Sequence, residues 1–344
     1  MGGKVANRAP ACAPVRYNGG MSYAMRLQRV VVPKPWAGSA LGRLFPAAAA
    51  EWPPGTGESI EVGDLDAART HVANGQYRGQ TLTQLMETRR QALMGQLAGA
   101  DDLPDFPLCL KLIDAREPLS VQVHPGDEFH KGRRVRRGKS EGWLVLRAEE
   151  NAVIYQGLRP GLSRADFEDA LRNNQTPHAL NARAVKAGDW LCNPAGMVHA
   201  IGGGLALLEV QQNCDTTLRL WDFPRKVGPW RRLHTAQGLA TARFDLPLPK
   251  IQRAGEDTVL HDDGPLGVRH LRLSQPLSLT RNWAGFTLVT CLEGGAEVSA
   301  RAGNQLEAAV LAPPDTVLFS AEFWDFEFYP RPNCRIFLSW ARAG

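Results

Sequence analysis

The chain has little of what would set it apart from ordinary globular proteins. Its six cysteines, Cys12, Cys109, Cys192, Cys214, Cys291 and Cys334, are scattered over 344 residues, with no Cys-x-x-Cys pair and no dense spacing. That excludes a thiolate zinc site and a disulfide framework, and a reducing cytoplasm fits best. No segment approaches the roughly 20 apolar residues of a membrane helix, and the N-terminus lacks the apolar stretch of a signal peptide. Extended runs of one charge are also missing. The formal net charge is +5, and Arg and Lys alternate with Asp and Glu except between Lys131 and Lys139, so neither a nucleic acid nor a membrane is expected as a partner. The 131–139 segment reads as a solvated loop, one that could steer an anionic substrate if it lay beside the site.

What is present points to a folded chain in more than one piece. Apolar residues make up 44% and charged residues 22%, which is ordinary for a packed core and far from the composition of disorder. The length exceeds a typical domain. Residues 1–24, rich in Gly, Ala, Pro and Arg, are expected to be a disordered extension, with Met21 or Met25 as alternative starts. Short β-type runs follow residue 105: Leu119 to Val123, Gly142 to Leu146, Ala152 to Gln156, Leu205 to Gln211, Gly285 to Leu292 and Arg335 to Ser339. Many short strands between Gly, Pro and Asp predict a sandwich or barrel. Two helices interrupt them. Thr81 with Gln84 forms a capping-box pattern ahead of Leu82, Leu85, Met86 and Leu93, and Ser163 with Asp166 opens a second helix running to about Asn173. A loop-rich stretch over 229–255 marks a boundary, giving units at 25–228 and 229–344.

The chemistry concentrates in the first unit. In Ser120-Val-Gln-Val-His, Gln122 and His124 are two apart, so on a strand both side chains leave the same face. Further on, Gly188-Asp-Trp-Leu-Cys-Asn-Pro194-Ala-Gly196-Met-Val-His199 sets turns around a short strand and delivers His199 at a fixed place. This Gly-x5-Pro-x-Gly-x2-His spacing resembles the second signature of the cupin superfamily, with Gly203 where an Asn is usual. Gln122 stands where cupins commonly place a first His, and Glu141 follows on the next strand, a combination that resembles the type I phosphomannose isomerases. Phe106 to Asp114, Leu119 to Pro125, Gly138-Lys-Ser-Glu141 and Glu209 to Arg225 carry the same resemblance, with weaker echoes at Lys34-Pro-Trp36 and Gly57-Glu-Ser59. Ile60 departs from it, standing where a Trp is usual.

The resemblance implies a mostly β bicupin with added helices, whose second barrel lacks the ligand set. It implies that Gln122, His124, Glu141 and His199 bind one zinc ion, a donor set that also suits iron, manganese, cobalt or nickel. The implied reaction interconverts mannose 6-phosphate and fructose 6-phosphate through an enediol, with Arg219 holding developing negative charge and Lys139 and Glu209 both candidates for proton transfer. Ser120 and Arg225 match substrate-contact positions and are expected to touch the phosphate, as Lys139 is expected to touch the sugar. Two other readings of an open nitrogen and oxygen site are a cupin oxygenase and a non-catalytic sugar-phosphate binder. The other histidines lack ligand spacing and read as structural or exposed.

Overall fold

The eight residues Leu108–Ala115 are all buried, a condition a strand meets only when both of its faces are covered. Leu108, Leu110 and Leu112 enter one core while Ile113 and Ala115 enter another on the opposite side, as the two-residue period requires. The strand belongs to a seven-stranded sheet ordered Gln252–Arg253, Asp189–Asn193, Glu141–Ala148, Leu205–Gln212, Leu108–Ala115, Thr56–Val62 and Val30–Pro33. A five-stranded sheet, ordered Leu180–Ala184, Val153–Leu158, His199–Ile201, Val121–Val123 and Leu218–Trp221, shares the second core through Ile154 and Ile201. Together these sheets make the first barrel. The computed structural model of the chain describes residues 21, 23–100, 103–225 and 231–343.

A second barrel pairs another seven-stranded sheet with a four-stranded one. Val289, Ile336 and Leu338 from the larger sheet meet Val298, Phe326 and Phe328 from the smaller in its core. The chain's first strand, Met25–Gln28, joins this distal sheet, with Met25 opposite Leu318. Met21 and Ala24 are buried beside it, whereas the rest of the extension expected to be disordered, apart from Tyr23, lies outside the described residues, as does the expected boundary at 228 and 229. The largest core joins the barrels. The outer face of the first sheet, through Leu110, Leu144, Leu208 and Trp190, packs on Val268, Leu288 and Phe337 of the second and on Leu85 and Leu93 of the helix Leu82–Met94.

Both capping boxes form as the sequence predicts. Thr81 Oγ1 accepts from Gln84 N while Gln84 Oε1 accepts from Thr81 N, and Ser163 and Asp166 repeat the exchange before the helix Arg164–Arg172. The described part of the loop-rich stretch, 231–255, is mostly irregular as expected, with one short helix, Thr235–Thr241, that the sequence reading did not place. That helix has no side-chain cap, and Gly238 lets it lie against Leu220 and Val123, so tertiary contact makes it rather than local pattern. No helix among the described residues is long and apolar enough to cross a membrane.

Gly142 lies against Trp190, a side chain of the shared core. A Cβ there would lie 2.3 Å from the ring of Trp190, itself 1% exposed. Gly142→Ala is therefore expected to cost about 1–3 kcal/mol by overpacking and to lower the melting temperature by several degrees. Gly99→Ala, with nothing within 4 Å of its Cβ, serves as the control. Equal melting curves for the two variants would show that the interface yields.

Candidate metal centre and active-site cavity

The site is built from three cross-strand rows, one in the five-stranded sheet and two in the seven-stranded sheet of the first barrel. In the five-stranded sheet, Gln156, His199, Gln122 and Arg219 stand side by side on four neighbouring strands. In the seven-stranded sheet, Asn193, Glu141 and Gln211 form one row, and Trp143, Glu209 and Lys111 form the next. Directly opposed residues in antiparallel strands have neighbouring side chains on one face, so register alone gathers groups that are up to 100 residues apart.

His124, Glu141 and His199 converge, with their ligand atoms all within 4.8 Å of one another. His199 Nε2 lies 3.1 Å from Glu141 Oε1, and His124 Nε2 lies 3.5 Å from Glu141 Oε2. His199 Nδ1 is 2.9 Å from the Met197 carbonyl and His124 Nδ1 is 2.9 Å from the Thr216 carbonyl. Each ring must donate there, which fixes its tautomer and leaves the Nε2 lone pair pointing inward. Asn193, 2.7 Å from His199 Nδ1, braces the same edge. Burial and then Lys139 push His124 down to about 3, so its imidazole is neutral at physiological pH. Glu141 is lowered as well: burial raises it, but Lys139 and His124 outweigh this and hold it well below the usual carboxylate range.

These residues fit a divalent cation. Both Glu141 oxygens are buried without a hydrogen-bond partner, although Lys139 Nζ is 3.0 Å from Oε2. Lys139 Nζ is also 3.2 Å from His124 Nε2, at the edge of a carboxylate and two imidazole lone pairs aimed at one point, a donor set whose chemistry suits a divalent cation. Gln122 lies beside them with its amide nitrogen 3.2 Å from His199 Nε2. Turning that amide end for end brings its oxygen toward the same point, and amide orientation is an assignment of the hydrogen-bond network. Among the described residues, no other group of three His, Cys, Asp or Glu side chains is gathered in this way.

A cavity of about 220 Å³ opens beside this point, bordered by Gln122, Lys139, Ser120, Glu209 and Arg219. Of the residues singled out from the sequence, Arg225 alone stands away from both the cavity and the triad. Its guanidinium donates to the carbonyls of Pro118 and Phe223 and pairs with Asp222 at 3.3 Å. Arg219 forms no pair with Asp222; it donates to the Arg232 carbonyl at 3.0 Å, and its Nε is buried without an acceptor.

Lys34, Glu58 and Lys111, which lie in the motifs named above but were given no site role, and Arg231, which was not singled out, all border the cavity. Lys111 Nζ is 2.8 Å from Gln211 Oε1 and 3.4 Å from Glu209 Oε1, and Trp143 Nε1 donates to Glu209 Oε2 at 2.9 Å. Burial pulls Lys111 down, yet Glu209 and Glu58 outweigh it and hold the amine above its ordinary value. Glu58 ends below its ordinary value because Lys111 and Lys34 outweigh its burial. The signal for Lys111 was in the sequence, as the single charge in the apolar run Leu108 to Ile113.

The basic 131–139 segment is an ordered hairpin rather than a free loop. Glu128–His130 pairs with Arg133–Arg136, Arg134 meets Asp127 at 3.0 Å, and Arg136 meets Glu128 at 2.8 Å. Arg136 also donates to Thr216 Oγ1 at 3.2 Å, next to the carbonyl that orients His124.

The chain is similar to known proteins in sequence and in fold. Residues 25–141 match the family model for the phosphomannose isomerase type I catalytic domain. The mannose-6-phosphate isomerase of Streptococcus mutans is 34% identical over 233 residues, which cover 66% of this chain and 70% of that protein. The chain belongs to the mannose-6-phosphate isomerase family. Mannose-6-phosphate isomerase ManA of Bacillus subtilis is 36% identical over 212 residues, 59% of this chain, and the aligned part spans 63% of that protein's length. The crystal structure of the mannose 6-phosphate isomerase from Bacillus subtilis superposes with a TM-score of 0.75 at 25% identity, over 92% of this chain and 99% of that one. A mutant phosphomannose isomerase from Salmonella typhimurium shares the fold, with a TM-score of 0.69 at 16% identity over 93% and 100% of the two chains. The mostly β bicupin expected from the sequence is thus the fold of the mannose-6-phosphate isomerase family.

Proposed function

We propose that this chain interconverts mannose 6-phosphate and fructose 6-phosphate, using one zinc ion held by Gln122, His124, Glu141 and His199. The observation that carries the reading is the convergence of His124, Glu141 and His199, with Gln122 beside them, next to a cavity that also presents Lys111, Glu209 and Arg219. In this reading residues 25–228 supply the catalytic unit, apart from Met25–Gln28 in the distal sheet, and 229–344 supply the barrel that buttresses it, apart from Gln252–Arg253 in the catalytic sheet. Zinc bound there would supply a Lewis acid and a template for the sugar oxygens.

The protein's own groups then divide the remaining work. Aldose-ketose isomerisation removes the C2 proton of the aldose and returns a proton to C1, with an enediol between. Glu209 is the best-placed acceptor for that proton, because it borders the cavity and its orientation is fixed by Trp143 and Lys111. Lys111, held above its ordinary value, suits donation to an oxygen rather than proton abstraction. Arg219, whose Nε lacks an acceptor, suits the negative charge that develops on the enediol oxygens. Lys139, beside Glu141, orients a sugar hydroxyl near the metal, and Ser120 stands on the cavity wall toward the substrate's phosphate end.

Chelator treatment followed by gel filtration is expected to lower turnover by at least about 100-fold, since the Lewis acid supplies several kcal/mol. One equivalent of zinc is expected to restore it in a coupled assay for fructose 6-phosphate. Metal-replete protein that fails to turn over mannose 6-phosphate would remove the reading.

A further inference from the structure

We infer that Arg231, acting with Arg219, forms the phosphate-recognition subsite of the cavity, and that Asp222 positions Arg231 for it. The inference rests on the sugar-phosphate reading above and names the residues that give that reading its specificity. Three guanidinium groups, Arg219, Arg225 and Arg231, gather around one carboxylate. Asp222 pairs with Arg225 Nε at 3.3 Å and accepts from Arg231 through Nε and, at 3.3 Å, through Nη2. Arg225 and Arg231 therefore share one carboxylate, and Arg219 beside them pairs with none, donating to the Arg232 carbonyl instead. Of the other acids at the cavity, Glu58 and Glu209 pair with Lys34 and Lys111, and Asp215 is exposed.

The hydrogen bonding is incomplete in the same place. Arg219 Nε and Arg225 Nη1 are both buried without an acceptor, a costly condition for a charged donor. Arg219 and Arg231 border the cavity together with Lys34 and Ser120, whereas Arg225 is turned toward the carbonyls of Pro118 and Phe223. A phosphate monoester brings the missing negative charge and several acceptor oxygens, and guanidinium forks match its geometry. Arg231 is thus the group that meets the phosphate from the cavity side. Arg225 shares Asp222 with it and holds that carboxylate in place.

The test uses full-length, zinc-loaded protein, with steady-state kinetics on mannose 6-phosphate and calorimetric titration with inorganic phosphate. Arg231→Ala is expected to raise KM by about 10- to 100-fold, the worth of charge-assisted hydrogen bonds, with a smaller fall in kcat and a matching loss of phosphate affinity. Arg231→Lys should fall between, since it keeps the charge and loses the fork. Asp222→Asn should raise KM by a smaller factor through misplaced Arg231. A folded Arg231→Ala protein with the wild-type KM and phosphate affinity would overturn the assignment. If the zinc-loaded wild type shows no turnover, the isomerase reading fails and the titration still decides the subsite. Phosphate binding that is lost in Arg231→Ala upholds the subsite, while equal binding in both proteins, or none in the wild type, overturns it.

Discussion

His199→Ala protein is expected to leave purification without stoichiometric zinc and to turn over mannose 6-phosphate about 1,000-fold more slowly, the rate equivalent of losing roughly 4 kcal/mol of Lewis-acid stabilisation. His199 is fully buried, its Nε2 is 3.1 Å from Glu141 Oε1, and its strand partner is Gln122. Removing the ring deletes one of two imidazole donors and leaves Glu141 facing a void. The backbone pairing of His199–Ile201 with its neighbours does not depend on the side chain, so circular dichroism should change little. Asn193→Ala separates ligation from packing. Asn193 touches the ring at Nδ1 without facing the metal point, and an orienting group of this kind is worth about 10–100-fold in metal affinity. Chelator competition should therefore rank wild type above Asn193→Ala and Asn193→Ala above His199→Ala. Retention of one zinc per chain by His199→Ala would place the metal elsewhere.

The parts of this site that were legible in the sequence are those that depend on short spacing. Gln122 and His124 are an i, i+2 pair, and the turn residues from Gly188 to Gly196 deliver His199 whatever the remainder of the chain does. The capping boxes at Thr81 and Ser163 are equally local, and both form. Glu141 needed the family resemblance, because nothing in Gly138-Lys-Ser-Glu says which strand it faces. The cavity walls were not legible for the same reason. Glu209 opposite Lys111, and Met25 opposite Leu318, are matters of register between distant strands, and register is set by the whole hydrophobic pattern rather than by any one segment. Arg225 illustrates the converse. Its place in the motif was legible, but the direction of its side chain depends on the carbonyls of Pro118 and Phe223 and on Asp222.

Lys111→Met is expected to lower kcat about 100-fold or more while leaving zinc stoichiometry intact, a split that distinguishes the cavity floor from the metal shell. Lys111 and Glu209 are each nine-tenths buried or more and sit opposite one another on paired strands. Neither would be tolerated there alone, because a buried charge stripped of its partner costs about 3–5 kcal/mol. Part of the loss in Lys111→Met will therefore appear as lower stability, with Glu209 keeping only its bond from Trp143. Pairing the change with Glu209→Gln removes the stranded carboxylate and should recover stability without recovering turnover. Lys111→Arg should retain more activity than Lys111→Met, since it restores a donor and a positive charge, though in a bulkier shape that the buried strand accommodates poorly. The pH profile supplies a further readout. Glu209 and Glu58 hold Lys111 above its ordinary value despite burial, so its deprotonation contributes no alkaline limb to kcat/KM below about pH 10, the unperturbed lysine range. If Lys111→Met instead removes a limb in the neutral range, Lys111 titrates there and is the base, and Glu209 becomes its positioning partner.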